Sequence, residues 1–344
     1  MGIENLELKI GKLSKGKNNL ITDVKGVKVG HKTLDDGKIK TGVTAIIPHS
    51  DNIFKEKLIC SSYVINGFGK SIGLVQIDEL GTLETPIILT NTLSVGTCST
   101  ALVKYMLKEN EDIGVTTGTV NPVVCECNDG YLNDIRGLHV KEEDVFEALE
   151  SAEINFKEGN VGAGTGMSCY QLKGGIGSAS RVLKLDDKEY TIGSLVLSNF
   201  GLKEDLLVDG IKVGEQILEK EAEELEKGSI IIILATDIPM SDRQLKRIAK
   251  RVPIGLARTG SHIGNGSGDI VIAFSTANRI KHYEENEIVN IKIINENIID
   301  KIFRGVIECV EESVISSLLH SNETIGVFEH KRESLKKYVD YIVK

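Results

Sequence analysis

The chain has 344 residues, 41% of them hydrophobic and 26% charged, with a formal net charge of −9. Such a length buries a sizeable core without staples, and the acidic balance (pI near 5.4) argues against a nucleic-acid partner, because phosphate binding relies on concentrated Lys and Arg. No run of about 20 apolar residues spans a bilayer and no N-terminal stretch reads as a signal peptide, so the expectation is a cytoplasmic protein with no membrane partner.

The first 50 residues read as short strands and turns. The segment "NNLITDVKGVKVGHKTL" alternates apolar and polar residues, and "TGVTAIIPHS" is a β-branched strand ending near Pro48. "GKLSKGKN" (Gly11–Asn18) approaches a phosphate-loop pattern, but Asn18 stands where Ser or Thr would hold magnesium, and no helix follows. "SIGLVQIDEL" and "TPIILTNTL" read as further strands, and "CSTALVKYMLKEN" as a helix. Cys125, Glu126 and Cys127 on a strand send both thiols to one face. The six cysteines show no paired zinc-ligand spacing, so apolar packing is the better reading and no metal is expected.

Residues 141–157 read as a helix with Val145, Phe146, Leu149 and Ala152 as its buried stripe. Beyond it the texture changes: Gly159, Gly162, Gly164, Gly166, Gly174, Gly175 and Gly177 crowd one stretch, which marks a backbone that turns tightly or approaches something closely. "EYTIGSLVLSNFG" returns to a strand, and residues 213–227 read as an acidic amphipathic helix. "SIIIILATD" does not alternate and so reads as a central strand buried on both faces. Ser241 and Gln244 form a capping box for a basic helix carrying Arg243, Lys246, Arg247, Lys250 and Arg251. "GDIVIAFSTAN" is another strand, and residues 299–320 form a long helix. These elements describe one α/β unit, with sheets covered by helices. His262 lies close before Ser267 and Asp269, yet the glycine spacing around Ser267 does not match a nucleophile elbow, so surface or core packing suits His262 better.

The ordered blocks "ITDVKGVKVGHKTL", "TGVTAIIPH", "ETPIILTNTLSVGT", "DGYLNDIRG", "EGNVGAGTGMSCYQLKGGIGSASR", "GSIIIILATDIP" and "NGSGDIVIAFSTAN" cover nearly the whole chain. Through them the chain resembles the L-aminopeptidase/D-esterase and β-aminopeptidase family, self-processing serine peptidases related in fold to ornithine acetyltransferase. The resemblance implies an αββα sandwich, two central β-sheets covered by helices, as a single domain over 1–344. It also implies autoproteolysis between Gly228 and Ser229 into pieces 1–228 and 229–344. Ser229 is then the nucleophile, Asn199 the oxyanion donor, and Ser267 with Asp269 the support. Glu126, with Asn128 beside it, is the candidate for the substrate's ammonium group. No cofactor is implied, the substrate is a small peptide, amide or ester, and the processed subunits form a homo-oligomer.

The chemistry is coherent on its own terms. A serine hydroxyl needs a base, and a free α-amine has a reference pKa of about 7.7–8.0, close to working pH. Before cleavage that amine is a peptide nitrogen and cannot serve. Other readings stay open at this point. Gly228 also suits a helix C-cap, and Asn199, Ser267 and Asp269 suit hydrogen-bonded turns. The chain also fits an amide hydrolase for non-peptide oligomers, an acyltransferase of the ornithine acetyltransferase type, or a silent scaffold that never cleaves.

Overall fold

The computed structural model describes residues 8–218 and 228–342. In chain order the strands of its two main sheets are β1 (Lys28–Asp36), β2 (Ile39–Ile47), β3 (Glu56–Gly67), β4 (Thr82–Leu83), β5 (Ile87–Asn91), β6 (Val123–Cys127), β7 (Gly175–Leu185), β8 (Lys188–Asn199), β9 (Ser229–Thr236) and β10 (Gly268–Lys281). The helices are α1 (Leu74–Leu80), α2 (Val95–Glu109), α3 (Glu142–Glu150), α4 (Val213–Ile217), α5 (Asp242–Ala249), α6 (Val252–Arg258) and α7 (Ile299–His320). A four-stranded sheet has the order β1-β2-β5-β6, and a six-stranded sheet the order β4-β3-β10-β9-β8-β7. Pairing is antiparallel except for β5 with β6 and β9 with β10, which run parallel.

Burial sorts these elements into four layers. Along β9, Ile231, Ile233 and Ala235 join a core with Leu89, Cys125 and Cys127 of the other sheet. Ile230, Ile232 and Leu234, which alternate with them, pack instead with Val306, Val310 and Val314 of α7. The outer face of the four-stranded sheet offers Val43, Ala45, Ile88 and Val124 to Cys98 and Leu102 of α2 and Val145 and Leu149 of α3. The result is helix, sheet, sheet, helix, the sandwich expected, and β9 is buried on both faces because each face has its own core.

Local sequence explains most of the elements. Ser241 Oγ accepts the Gln244 N–H at 3.2 Å, and Ser241 N–H donates to Gln244 Oε1 at 3.2 Å, so the capping box opens α5. The basic residues here have partners within the chain: on α5, Arg243 and Arg247 both pair with Glu296, and Arg251, which falls beyond α5 at the start of α6, lies with its guanidinium 3.9 Å from the Phe303 ring centroid. The near phosphate loop at Gly11–Asn18 turns its Lys12 and Leu13 amides onto the Glu308 carboxylate at 2.9 and 3.0 Å.

Three expectations change. "SIGLVQIDEL" is not a strand: residues 74–80 form α1, because Gly73 (φ 93°) and Gly81 (φ 66°) bracket it with left-handed backbone. α3 ends at Glu150 rather than 157, because Glu153 leaves the helix to exchange main-chain hydrogen bonds with Val29 at the start of β1. The acidic helix expected over 213–227 is helical as α4 over Val213–Ile217, and its remainder from 219 lies outside the described residues.

Candidate active site

The strand register builds the site. Asn199, the last residue of β8, is the antiparallel partner of Ser229, the first residue of β9. Gly268, the first residue of β10, is the parallel partner of Ser229 on the other side. Three strand ends thus set Asn199, Ser229 and Gly268 in one row. A bulge in β3 lies beside this row, where the pairing with β10 shifts between Asp269 and Ile270.

The row opens on a cleft of about 960 Å³ whose wall includes Glu126, Asn128, Asn199, Gly228 and Ser229. Ser229 Oγ donates to the Gly228 carbonyl oxygen at 2.7 Å. That same oxygen accepts the Gly268 N–H at 3.2 Å. The carbonyl between Gly228 and Ser229 is therefore touched by the adjacent hydroxyl and polarised by a main-chain donor. The close fit also dictates the residue: a Cβ on Gly228 would stand 2.5 Å from Asn199 O and 2.7 Å from Phe200 Cα, so glycine is needed here for contact, whatever its turn role.

The Asn199 side chain is held at both ends. Its Oδ1 accepts the Ser168 N–H at 2.8 Å and its Nδ2 donates to Asn128 O at 3.0 Å. An amide nitrogen carries two donors, so one remains for an oxygen in the cleft. Ser267 and Asp269 flank Gly268, and Ser267 Oγ donates to Asp269 Oδ1 at 2.5 Å. Both are buried, and neither lines the cleft wall. His262 instead faces Asp205, 3.4 Å away.

Glu126, 2% exposed, sits on β6 at the opposite sheet. Its Oε1 accepts the Lys70 N–H at 2.8 Å, and its Oε2 accepts the Thr92 hydroxyl. The flanking Cys125 and Cys127 both point into the core between the sheets. Burial pushes the Cys125 thiol up to about 12 and that of Cys127 well above its ordinary value, so both thiols are inert packing. Among the described residues no group of three His, Cys, Asp or Glu side chains could hold a metal ion.

The family model for peptidase family S58 matches residues 19–332. The chain belongs to peptidase family S58. This S58 peptidase is 37% identical over 337 residues to a beta-peptidyl aminopeptidase, BapA, of Sphingosinicella microcystinivorans, covering 91% of this chain and 84% of that one. Its fold superposes with a TM-score of 0.95 on the crystal structure of the PH0078 protein from Pyrococcus horikoshii OT3, at 54% identity over 100% of this chain and 98% of that one. It superposes at 0.88 on the L-aminopeptidase D-Ala-esterase/amidase of Ochrobactrum anthropi, at 34% identity over 95% and 96% of the two chains. The latter structure is described as a serine aminopeptidase prototype and a variant of the Ntn-hydrolase fold. The present S58 chain is thus an enzyme, a peptidase of that architecture.

Several groups at the site of this S58 peptidase went unread in the sequence. The Ser168 and Gly268 N–H groups are main-chain donors and carry no letter of their own. Arg332 lines the cleft, its guanidinium 3.7 Å from the Tyr131 ring centroid and its Nε donating to Ser168 Oγ at 3.1 Å. It lies more than sixty residues beyond Asp269 and more than a hundred beyond Ser229 in sequence, and no local pattern announces it.

Proposed function

We propose that the chain cuts its own backbone between Gly228 and Ser229 and then acts as a serine aminopeptidase on short peptides, amides or esters. The observation that carries this is the single row of Asn199, Ser229 and Gly268 at the mouth of a cleft that also contains Glu126.

In the first step Ser229 Oγ adds to the Gly228 carbonyl carbon, whose oxygen the Gly268 N–H already holds. As the Oγ–C bond forms, the C–N bond breaks and the hydroxyl proton passes to the Ser229 nitrogen, so the Gly228–Ser229 amide becomes an ester on Oγ. Water hydrolyses that ester and leaves a Gly228 carboxylate and a free Ser229 α-amine. In turnover the α-amine takes the hydroxyl proton as Oγ attacks the substrate carbonyl. The second N–H of Asn199 Nδ2 donates to the developing oxyanion and stabilises it, an effect of about 3 kcal/mol when one such donor is removed. The leaving amine departs protonated, and water releases the acyl group from Ser229. Ser267 and Asp269 support the Gly268 segment beside the nucleophile. Glu126 takes the ammonium end of the substrate, and Asn128 lines the same pocket.

A free amine at the start of the acyl group, α or β, suits this arrangement, and the names of the similar proteins support both. The same reading makes the enzyme a cytoplasmic homo-oligomer of processed subunits. The test is direct. Wild-type protein should run under denaturing conditions as pieces 1–228 and 229–344, the smaller beginning with Ser229. The Ser229→Ala variant should stay one chain of 37.5 kDa with no turnover of an aminoacyl anilide. Cleavage before residue 229 in that variant overturns the reading.

A further inference from the structure

One buried charge beside the site has no part in the reaction described so far. Lys173 is 0% exposed and lies in the glycine-rich segment. Its ammonium donates to three main-chain carbonyls, Met167 O at 2.8 Å, Gly164 O at 2.9 Å and Gly174 O at 2.6 Å. An ammonium has three donors, so the set is complete. Burial pushes its pKa down to about 7, and the three carbonyl oxygens, which accept and cannot donate, favour the protonated form against that. A neutral side chain of similar length would staple the loop by packing without the cost of burying a charge.

The carbonyl of Met167 belongs to the same peptide unit as the Ser168 N–H. The described chain contains no cis peptide, so the two groups point in opposite directions across one rigid plane. Lys173 holds the oxygen end at 2.8 Å, and the Gly174 N–H joins it there at 3.1 Å. The N–H end donates to Asn199 Oδ1 at 2.8 Å. A cation on the carbonyl makes the N–H a stronger donor, since chained hydrogen bonds polarise one another. The consequence falls on Asn199: with Oδ1 engaged by Ser168, the side chain is fixed with its amide nitrogen, not its oxygen, available to the cleft.

We propose that Lys173 is a positioning residue for the oxyanion donor, acting through the Met167–Ser168 peptide to orient Asn199. This rests on the reading of Asn199 as that donor. A purely structural lysine would hold the loop and leave Asn199 indifferent to its charge.

A double-mutant cycle separates the two, with kcat and KM measured on an aminoacyl anilide and expressed per processed molecule. Asn199→Ala should lower kcat by about 10²- to 10³-fold. Lys173→Met should lower kcat by roughly 10- to 100-fold with KM nearly unchanged, the signature of a displaced group rather than a lost binding contact. In the Asn199→Ala background, Lys173→Met should change kcat by no more than about twofold, because the group it acts through is gone. Full additivity overturns the inference, with the oxyanion reading intact. An Asn199→Ala enzyme with wild-type kcat overturns the oxyanion reading itself and this inference with it. If Lys173→Met does not fold, hydrogen exchange at the Ser168 amide of the wild-type enzyme decides. Measured again in Lys173→Arg, which keeps the charge but cannot place three donors on the same carbonyls, a Ser168 amide that loses protection together with kcat supports the link, and one that keeps full protection while kcat falls overturns it.

Discussion

Glu126 is buried, yet among the described residues its two oxygens receive one donor each, the Lys70 N–H and the Thr92 hydroxyl. A carboxylate offers about four acceptor positions, which leaves capacity for a substrate ammonium in the cleft. The Glu126→Gln variant keeps the shape and removes the charge. A hydrogen bond to a charged group is worth about 1.5–3 kcal/mol, so kcat/KM for a substrate with a free amine should fall by roughly 10- to 100-fold. Self-cleavage involves no ammonium and should proceed as in the wild type, which the ratio of cut to uncut chain on a denaturing gel reports. Unchanged kcat/KM would remove Glu126 from amine recognition. Of the site residues that the family resemblance implied, Ser229, Asn199, Glu126 and Asn128 meet in one cleft, whereas Ser267 and Asp269 do not line it. Its main-chain donors were invisible to the sequence because every residue except proline has an N–H, and only the register decides which of them points at the reacting carbonyl.

Elements were legible where one physical pattern ruled alone. The long helix expected over 299–320 is α7, because its period places Ile302, Val306, Val310, Val314 and Leu318 on one fully buried stripe. α1 was misread because its short apolar run fits either period, and what decides it is the pair of left-handed glycines at its ends rather than the residues within it. The glycine-rich segment showed that close approach was required but not to what. Gly177 answers for β7: a Cβ there would stand 2.0 Å from Ser313 O and 2.5 Å from Ser317 N, so α7 lies directly on the strand backbone. Gly177→Ala should therefore force helix and strand apart and destabilise the fold by about 1–3 kcal/mol, the usual effect of overpacking. Chemical denaturation measures it as a lowered midpoint with an unchanged slope. A midpoint equal to wild type would mean that α7 yields without cost.

Cutting the chain before Ser229 does not divide the molecule into two bodies. β9 would begin the smaller piece, yet from Ser229 to Thr236 it pairs residue by residue with β8 of the larger piece, from Asn199 back to Ile192. β10, also in the smaller piece, pairs with β3 of the larger one along most of its length. The core on one face of the sheet joins Val196 of the larger piece to Ile232 and Val310 of the smaller, and the core on the other joins Leu89 and Cys125 to Ile231 and Ile272. Separating the pieces would break two strand pairings, leave four strand edges bare and open both cores together, so dissociation and unfolding become one event. Native mass spectrometry of processed enzyme should accordingly show the two chains at a strict one-to-one ratio at every dilution. Denaturant should release them only across the same transition that abolishes near-ultraviolet circular dichroism. Free small piece in native buffer, without loss of that signal, would show that the interlocked sheet does not hold them together.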